Sequence, residues 1–350
     1  MIRTAIPLIK RYGSPVLDAT GLLDWRLNRL LDHDDRLLVL MYHRVIEQPA
    51  LDPFRLGMCV SREHFTAQID YLVRELRPIG LSEAVRRLAN GQALPRRSVA
   101  ITFDDGYLDN HQIAAPILAS RSVPATFFVV TGGLGEARAL WWDRAIHALA
   151  STRQTRLHLP ALSLPGPVAL DGDHRQAGAV AVLDALWRLA PDELPGVLDE
   201  LVAQLAPQAQ SDELALGQAP RMSQAQIASL HTMGFEIGAH TVSHLDMRHL
   251  SPQRIEAELI ESRQVLSSLC GQPVAGFAYP SGFLSTGLQH AVRTAGFDYA
   301  VSTERGINGQ PLLPFALARI GMPDSPVADF KRALCRIPVW TGGQLSARPD

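Results

Sequence analysis

Seven short, largely apolar runs recur along this chain, at residues 37–42, 99–103, 125–130, 235–239, 274–279, 298–302 and 315–320, with helix-forming segments between them. Runs of five or six residues with little polar alternation mark strands covered on both faces, as happens where helices cross over between parallel strands. The pattern predicts an α/β fold, a seven-stranded barrel of βα units.

Several helix boundaries are written in capping residues. Ser223 with Gln226 forms a capping box at the head of SQAQIASLHTMG, the serine side chain and the glutamine each satisfying a free backbone amide. Ser251 before Pro252 opens a second helix with Ile255, Leu259, Leu266 and Leu269 on one face, and Gly271 ends it. Its arginines and glutamates are assigned to the solvated side. Between residues 132 and 221 the rhythm changes: WWDRAIHALA reads as helix, the next stretch is proline-rich, and 177–205 gives a helical pair interrupted around Pro191 and Pro195. We expect a helical extension over 1–34, a barrel over 35–330 with an insertion at 132–221, and a tail over 331–350. APQAQSDELALGQAP (206–220) reads as a linker.

The charge balance removes one class of partner. A formal charge of −2 over 350 residues gives no basic footprint for nucleic acid. Lys10 and Lys331 are the only lysines among the 33 basic residues, which we attribute to genome composition rather than phosphate recognition. Cys59, Cys270 and Cys335 are odd in number and far apart, which predicts reduced thiols. The apolar start MIRTAIPLI stops at Lys10, too short for a secretory h-region, and no run reaches bilayer-spanning length. The expected compartment is the cytoplasm. Leu22, Leu23, Trp25, Leu27, Leu30 and Leu31 beside Arg26 and Arg29 suit packing on the main domain, with peripheral membrane contact as the alternative.

The chemistry concentrates at two strand ends. ITFDDGYLDN puts Asp104 and Asp105 side by side after the run 99–103, with Gly106 to turn the chain. Adjacent carboxylates raise each other's pKa unless a cation relieves them, and a parallel barrel keeps its chemistry at the C-terminal ends of strands. FEIGAHTVSH ends a second run in His240 and His244, a spacing that lets two imidazoles bind one ion. Alone that spacing is a weak signal, but a barrel brings both strand ends to one rim. Two imidazoles and one carboxylate make a three-ligand catalytic zinc set with a place left for water; the second carboxylate is then free as a base.

TFDDG followed far downstream by HTVSH resembles the motifs of polysaccharide deacetylases, carbohydrate esterase family 4, whose fold is a distorted (β/α)7 barrel. The resemblance covers roughly residues 37–325 and implies Asp104 as general base, with Asp105, His240 and His244 as ligands of a divalent metal, commonly Zn2+. The family's RxPY motif falls on AYPSG: Pro280 is kept, Ala278 stands where Arg is usual and Ser281 where Tyr is usual. Ser281 can still supply the backbone N–H expected at the oxyanion, with Tyr279 beside it as a substrate contact. The family's LxH motif appears as LAR, with Arg319 in place of the general-acid His. Arg319 can instead sit against Asp104 or steady a developing negative charge.

Of the remaining histidines, His43 in LMYHRV lies at the right rim to act in catalysis, whereas His111 reads as a surface or capping residue. In WWD, Trp142 is a candidate sugar platform, core packing being the competing use. The expectation is a metal-dependent hydrolase removing an N-acetyl group from an amino sugar of a surface polysaccharide or its precursor, which can be lipid-linked. Removal of a formyl or O-acetyl group by the same site, and a weakly active carbohydrate-binding relative, are the alternatives.

Overall fold

The computed structural model describes residues 17–47, 52–134, 139–205 and 221–338. The chain start through residue 16, the 206–220 linker and residues 339–350 of the expected tail lie outside the described residues.

Seven parallel strands form the barrel: β1 Leu37–Tyr42, β2 Ser98–Phe103, β3 Thr126–Val129, β4 Glu236–Ala239, β5 Gly276–Ala278, β6 Tyr299–Val301 and β7 Ile320–Gly321. They lie side by side in the order β6-β5-β4-β3-β2-β1-β7. The two ends of that order meet where Leu317, just before β7, bridges Val301 of β6 in parallel. Each sequence-predicted run therefore holds a strand, and the last is the most displaced: from 315 to 319 the chain makes that single bridge before pairing as β7.

Successive strand residues point alternately in and out. Leu38, Leu40, Val99, Ile101, Phe103, Phe127, Val129 and Phe277 pack with the surrounding helices, whereas Leu37, Val39, Ala100, Phe128, Ala278, Val301 and Leu317 fill the interior. The helix Leu81–Ala89 closes the N-terminal end of the barrel with Leu81, Ala84, Val85 and Leu88. There Glu236, first residue of β4, accepts hydrogen bonds from Thr126 (2.9 Å), Tyr299 (2.7 Å) and Ser82, so its carboxylate is a satisfied plug.

The caps form as expected. Ser223 and Gln226 make the reciprocal capping box, and Ser251 accepts from the Arg254 amide at the head of Pro252–Cys270, which Gly271 ends in the left-handed conformation. Glu258 departs from the expected solvated face: it is 2% exposed. The helix Leu22–Leu31 packs on Val327–Cys335, where Lys331 bonds Asp18 and Asp24. Val327–Cys335 carries the ordered fold past residue 331.

Among its described residues the insertion at 132–221 holds three α-helices, Trp141–Ser151, Arg175–Leu186 and Leu194–Leu205, and a two-stranded antiparallel pair, Arg156–Leu157 with Val168–Ala169. Pro195 lies in the first turn of its helix, where no intrahelical amide is needed, so the break between the last two helices falls at 187–193. These elements share a separate core that includes Leu149, Leu159, Leu183, Leu198 and Leu201, joined by Phe54.

Candidate metal-dependent active site

Register places the chemistry. Tyr42 pairs with Phe103, so His43 and Asp104 emerge side by side from β1 and β2. Val129 pairs with Ala239, and Ala239 with Phe277, so His240 leaves the rim next to the end of β5. All of these side chains line one cavity of about 290 Å3, together with Asp105, His244, Tyr279, Ser281 and Trp142.

The backbone at the rim is bent to serve them. Asp105 (φ 75), Thr241 (φ 66), His244 (φ 52) and Ser281 (φ 55) all adopt the left-handed conformation that costs non-glycine residues free energy, a strain that concentrates at functional sites. Gly106 (φ 79) completes the turn after the aspartates, and a Cβ there would meet Val129 at 2.9 Å. The histidine loop is clamped from outside: Glu258 accepts the Val242 and Ser243 amides at 2.8 Å each. Thr241 Oγ1 accepts the His244 amide at 2.9 Å. On the β1 side, Asn110 donates to the His43 carbonyl (2.7 Å), and Asp109 holds Val45 N (3.1 Å) and Arg44 Nε (2.9 Å).

Asp105, His240 and His244 converge. Their ligating atoms lie within 4.8 Å of one another: Asp105 Oδ1 is 3.6 Å from His240 Nε2 and 3.5 Å from His244 Nε2, and the two Nε2 atoms are 3.1 Å apart. Bonds of about 2.0–2.2 Å to a tetrahedral ion would separate its ligands by roughly 3.3–3.6 Å, so the spacing fits a shared metal. The donor chemistry fits as well. His240 Nδ1 is 2.8 Å from the Ala278 carbonyl, which holds the proton on that nitrogen and turns a lone pair at Nε2 inward. Burial pushes both imidazole pKa values down, that of His244 further because His240 adds to it, so both stay neutral. Asp105 is 1% exposed, its Oδ2 has no hydrogen-bond partner among the described residues, and burial followed by the Asp104 charge pushes its pKa well up. A cation between these groups removes that penalty.

Asp104 is treated in the opposite way. Burial alone would raise its pKa, but the Arg319 guanidinium beside it outweighs this and brings it down to about 2. Arg319 is 1% exposed and donates from Nη1 to Oδ1 and from Nη2 to Oδ2, both at 2.7 Å, while Nε bonds the Ser302 carbonyl at 2.9 Å. The planar fork matches the carboxylate edge on. Arg319 thus occupies the inside of the barrel against Asp104, and Ala278, where the motif leaves out an arginine, offers its carbonyl to His240. His43 lines the cavity with its pKa lowered to about 4 by burial, which the Asp104 charge only partly opposes.

Trp142 is 4% exposed; its indole N–H donates to Tyr107 Oη (2.9 Å) and its ring lies 4.5 Å from His244, centre to centre. Its face is spent on packing the histidine. The more open aromatic is Trp187, 5.5 Å from His244, which the sequence did not single out. Tyr107 Oη in turn faces Asp143 at 3.2 and 3.3 Å, and burial raises the Asp143 pKa to about 7. Tyr279 lines the cavity, but its ring packs on Phe277 and its hydroxyl donates to the Phe315 carbonyl (3.0 Å), so its oxygen is engaged elsewhere. His111 stands apart, 3.3 Å from Ser229 Oγ.

The sequence model of the family described as Polysaccharide deacetylase matches residues 91–153 and 208–300. The poly-beta-1,6-N-acetyl-D-glucosamine N-deacetylase of Staphylococcus aureus is 33% identical over 113 residues, 29% of this chain and 39% of the relative's length. Among solved structures, the Streptococcus pyogenes deacetylase PplD has a TM-score of 0.56 at 18% identity, covering 83% of this chain and 93% of its own. IcaB from Ammonifex degensii has a TM-score of 0.55 at 24% identity, covering 86% and 98%. At such identities the structural likeness is one of fold, and the sequence match runs through both β2 with its aspartates and β4 with its histidines. By that sequence match the chain belongs to the polysaccharide deacetylase family, whose fold it shares.

Proposed function

We propose that the protein is a metal-dependent hydrolase that removes the N-acetyl group from an amino sugar of a surface polysaccharide or its precursor. The observation that carries this reading is the unlike treatment of neighbouring carboxylates: Asp105 faces two neutral imidazoles while Asp104 is held ionised by Arg319. A pure binding protein has no use for a second, unligated carboxylate there. The sugar rests on the named activity of the Staphylococcus aureus relative.

Asp105, His240 and His244 would hold the ion, and two imidazoles with a carboxylate suit zinc. When bound, such an ion acidifies a water toward neutrality and polarises the amide carbonyl. Asp104 accepts the proton of the attacking water, and its low pKa keeps it ready as a base at neutral pH. The Ser281 backbone N–H is the donor assigned to the carbonyl oxygen as it gains charge. His43, neutral and next to Asp104, relays the proton to the leaving amine, a task Arg319 cannot perform because a guanidinium does not release its proton.

The test is acetate release from N-acetylglucosamine oligomers and poly-β-1,6-linked polymer by metal-loaded, chelator-treated and metal-restored protein. We expect release that chelator abolishes and metal restores, and a loss of about 10²–10⁴-fold in Asp104→Asn at equal metal content. Metal-loaded protein that releases acetate from none of these substrates rejects the reading.

A further inference from the structure

The cavity has two unlike walls. The barrel rim supplies the polar half, from His43 and Asp104 round to Ser281 and Thr303. Facing it are Leu56 and Met58, from the loop before the strand Cys59–Ser61, and Ile146, Val180, Leu183 and Trp187 from the insertion. Among the described residues, Asp184 is the one charged side chain the insertion adds. Leu56, Met58, Ile146, Val180 and Trp187 are each only partly covered, although the insertion has its own core a few residues away.

Apart from Trp187 this wall is aliphatic, and an aliphatic surface is poorly matched to a glycan. Sugar hydroxyls pressed against it lose water without gaining a partner, which costs free energy for each group, and aliphatic side chains lack the flat face that an aromatic ring offers a sugar. The wall does suit hydrocarbon. It is continuous with the reacting centre, so its occupant has to be part of the same molecule as the amide.

On the deacetylase reading above, we propose that the substrate is amphiphilic: an amino sugar carrying a hydrocarbon chain, which lies against the wall formed by Leu56, Met58, Ile146, Val180 and Leu183 while the amide faces Asp104 and the metal ligands. The chain has two possible attachments, the glycosidic oxygen or the acyl group itself, and both present the same chemistry to this wall.

Metal-loaded Asp104→Asn protein, titrated by tryptophan fluorescence, separates them. One arm uses methyl, butyl and hexyl β-glycosides of N-acetylglucosamine, the other N-acetyl, N-butanoyl and N-hexanoyl glucosamine, all below micelle-forming concentration. We expect the dissociation constant to fall two- to about fourfold per methylene in one arm, the burial of a CH2 being worth up to about 0.8 kcal/mol. The arm that responds names the attachment. Val180→Thr and Met58→Gln should flatten the slope while leaving the shortest ligand's affinity and the thermal melt unchanged. Binding of the shortest ligands with no chain dependence in either arm overturns the amphiphile and leaves deacetylation standing. No binding by any member overturns it too. Chain dependence without release of acetate, or of the longer acid where the acyl arm responds, by wild type would sustain this proposal and remove the catalytic reading.

Discussion

On the barrel side of the cavity, each polar group is fixed by a strand end, and the backbone register alone brings His43 beside Asp104 and His240 beside β5. On the insertion side, the helices Trp141–Ser151 and Arg175–Leu186 bring mostly apolar side chains to the cavity and are held together by a core of their own. The two regions meet in a small seam of Tyr107, Val130, Leu140 and Trp142. The difference suggests a division of work: the barrel fixes what reaction is possible, and the insertion shapes what may reach it. Removing groups from each region in turn tests whether that division holds.

The largest expected effect lies in the barrel. Arg319→Ala leaves the Asp104 carboxylate buried without its guanidinium, the kind of loss that costs about 3–5 kcal/mol of stability. Burial, no longer opposed by its strongest counterweight, then raises the Asp104 pKa. Because the ionised form is the base, the acid limb of kcat/KM should move to higher pH and turnover should fall at neutral pH. Metal content should stay unchanged. Arg319→Lys keeps the charge but not the fork and should lie between. In wild type the sign follows the depressed pKa: the stability from Asp104 ionisation is present above pH about 3.8 and is lost as pH falls toward about 2. An unmoved acid limb in Arg319→Ala would detach Arg319 from the base.

That arginine also marks how far the sequence can be read. The strands were legible because burial on both faces leaves an unbroken apolar run; Asp104, Asp105 and His240 stood out because they come at once after such a run, and His244 by its spacing from His240. Position 319 could be flagged as a departure from LxH, and a place against Asp104 was one of two uses open to it; the choice between them depends on β7 lying next to β1, a long-range pairing no local pattern encodes. Glu258 was assigned to solvent for a similar reason: helical periodicity says which face a residue occupies, not that the loop after β4 turns its amides toward that face. Trp187 was passed over because its helix pattern is that of any packed segment. Trp142 was noticed, yet sequence could not reveal that its ring packs on His244 and its indole nitrogen bonds Tyr107.

A smaller effect is expected at the seam, where Asp143 of the insertion meets Tyr107 of the barrel. Burial, partly opposed by Arg44 and the Tyr107 hydrogen bond, raises its pKa from 3.8 to about 7. A carboxyl whose folded pKa is raised favours the fold when protonated, so its contribution is full below pH about 3.8 and is lost as pH rises through about 7. Asp143→Asn cannot ionise. The urea-unfolding stability of this variant minus that of wild type should therefore increase from pH 5 to 8, approaching about 4 kcal/mol at 1.36 kcal/mol per pKa unit. Taking the difference in chelated protein cancels the burial of Asp105, which titrates in both; the part of its raised pKa that comes from the Asp143 charge is lost in the variant and adds to the difference in the same direction. A difference that stays flat with pH would place the raised carboxyl elsewhere and leave the seam without a pH-sensitive joint.

The smallest effects decide whether the two regions are separate at all. Thr152, at the end of the insertion helix Trp141–Ser151, donates its hydroxyl to the Leu205 carbonyl at 2.8 Å and is 3% exposed. Thr152→Val keeps the shape and removes that bond together with the one the hydroxyl accepts from the Gln154 amide (3.1 Å), a cost of about 1–2 kcal/mol. Ser223→Ala removes a cap of about 1 kcal/mol from the barrel helix Gln224–Thr232. If the insertion opens on its own core, native-state hydrogen exchange should quicken in Trp141–Ser151 and Leu194–Leu205 for Thr152→Val, with β2 amides unchanged, because an opening confined to one region reports only that region's stability. Ser223→Ala should quicken Gln224–Thr232 and leave the insertion amides as they were. Should Thr152→Val loosen β2 by the same factor as the insertion, the two walls of the cavity open as one cooperative unit, and a shape change in the insertion could not be made without disturbing the carboxylates it faces.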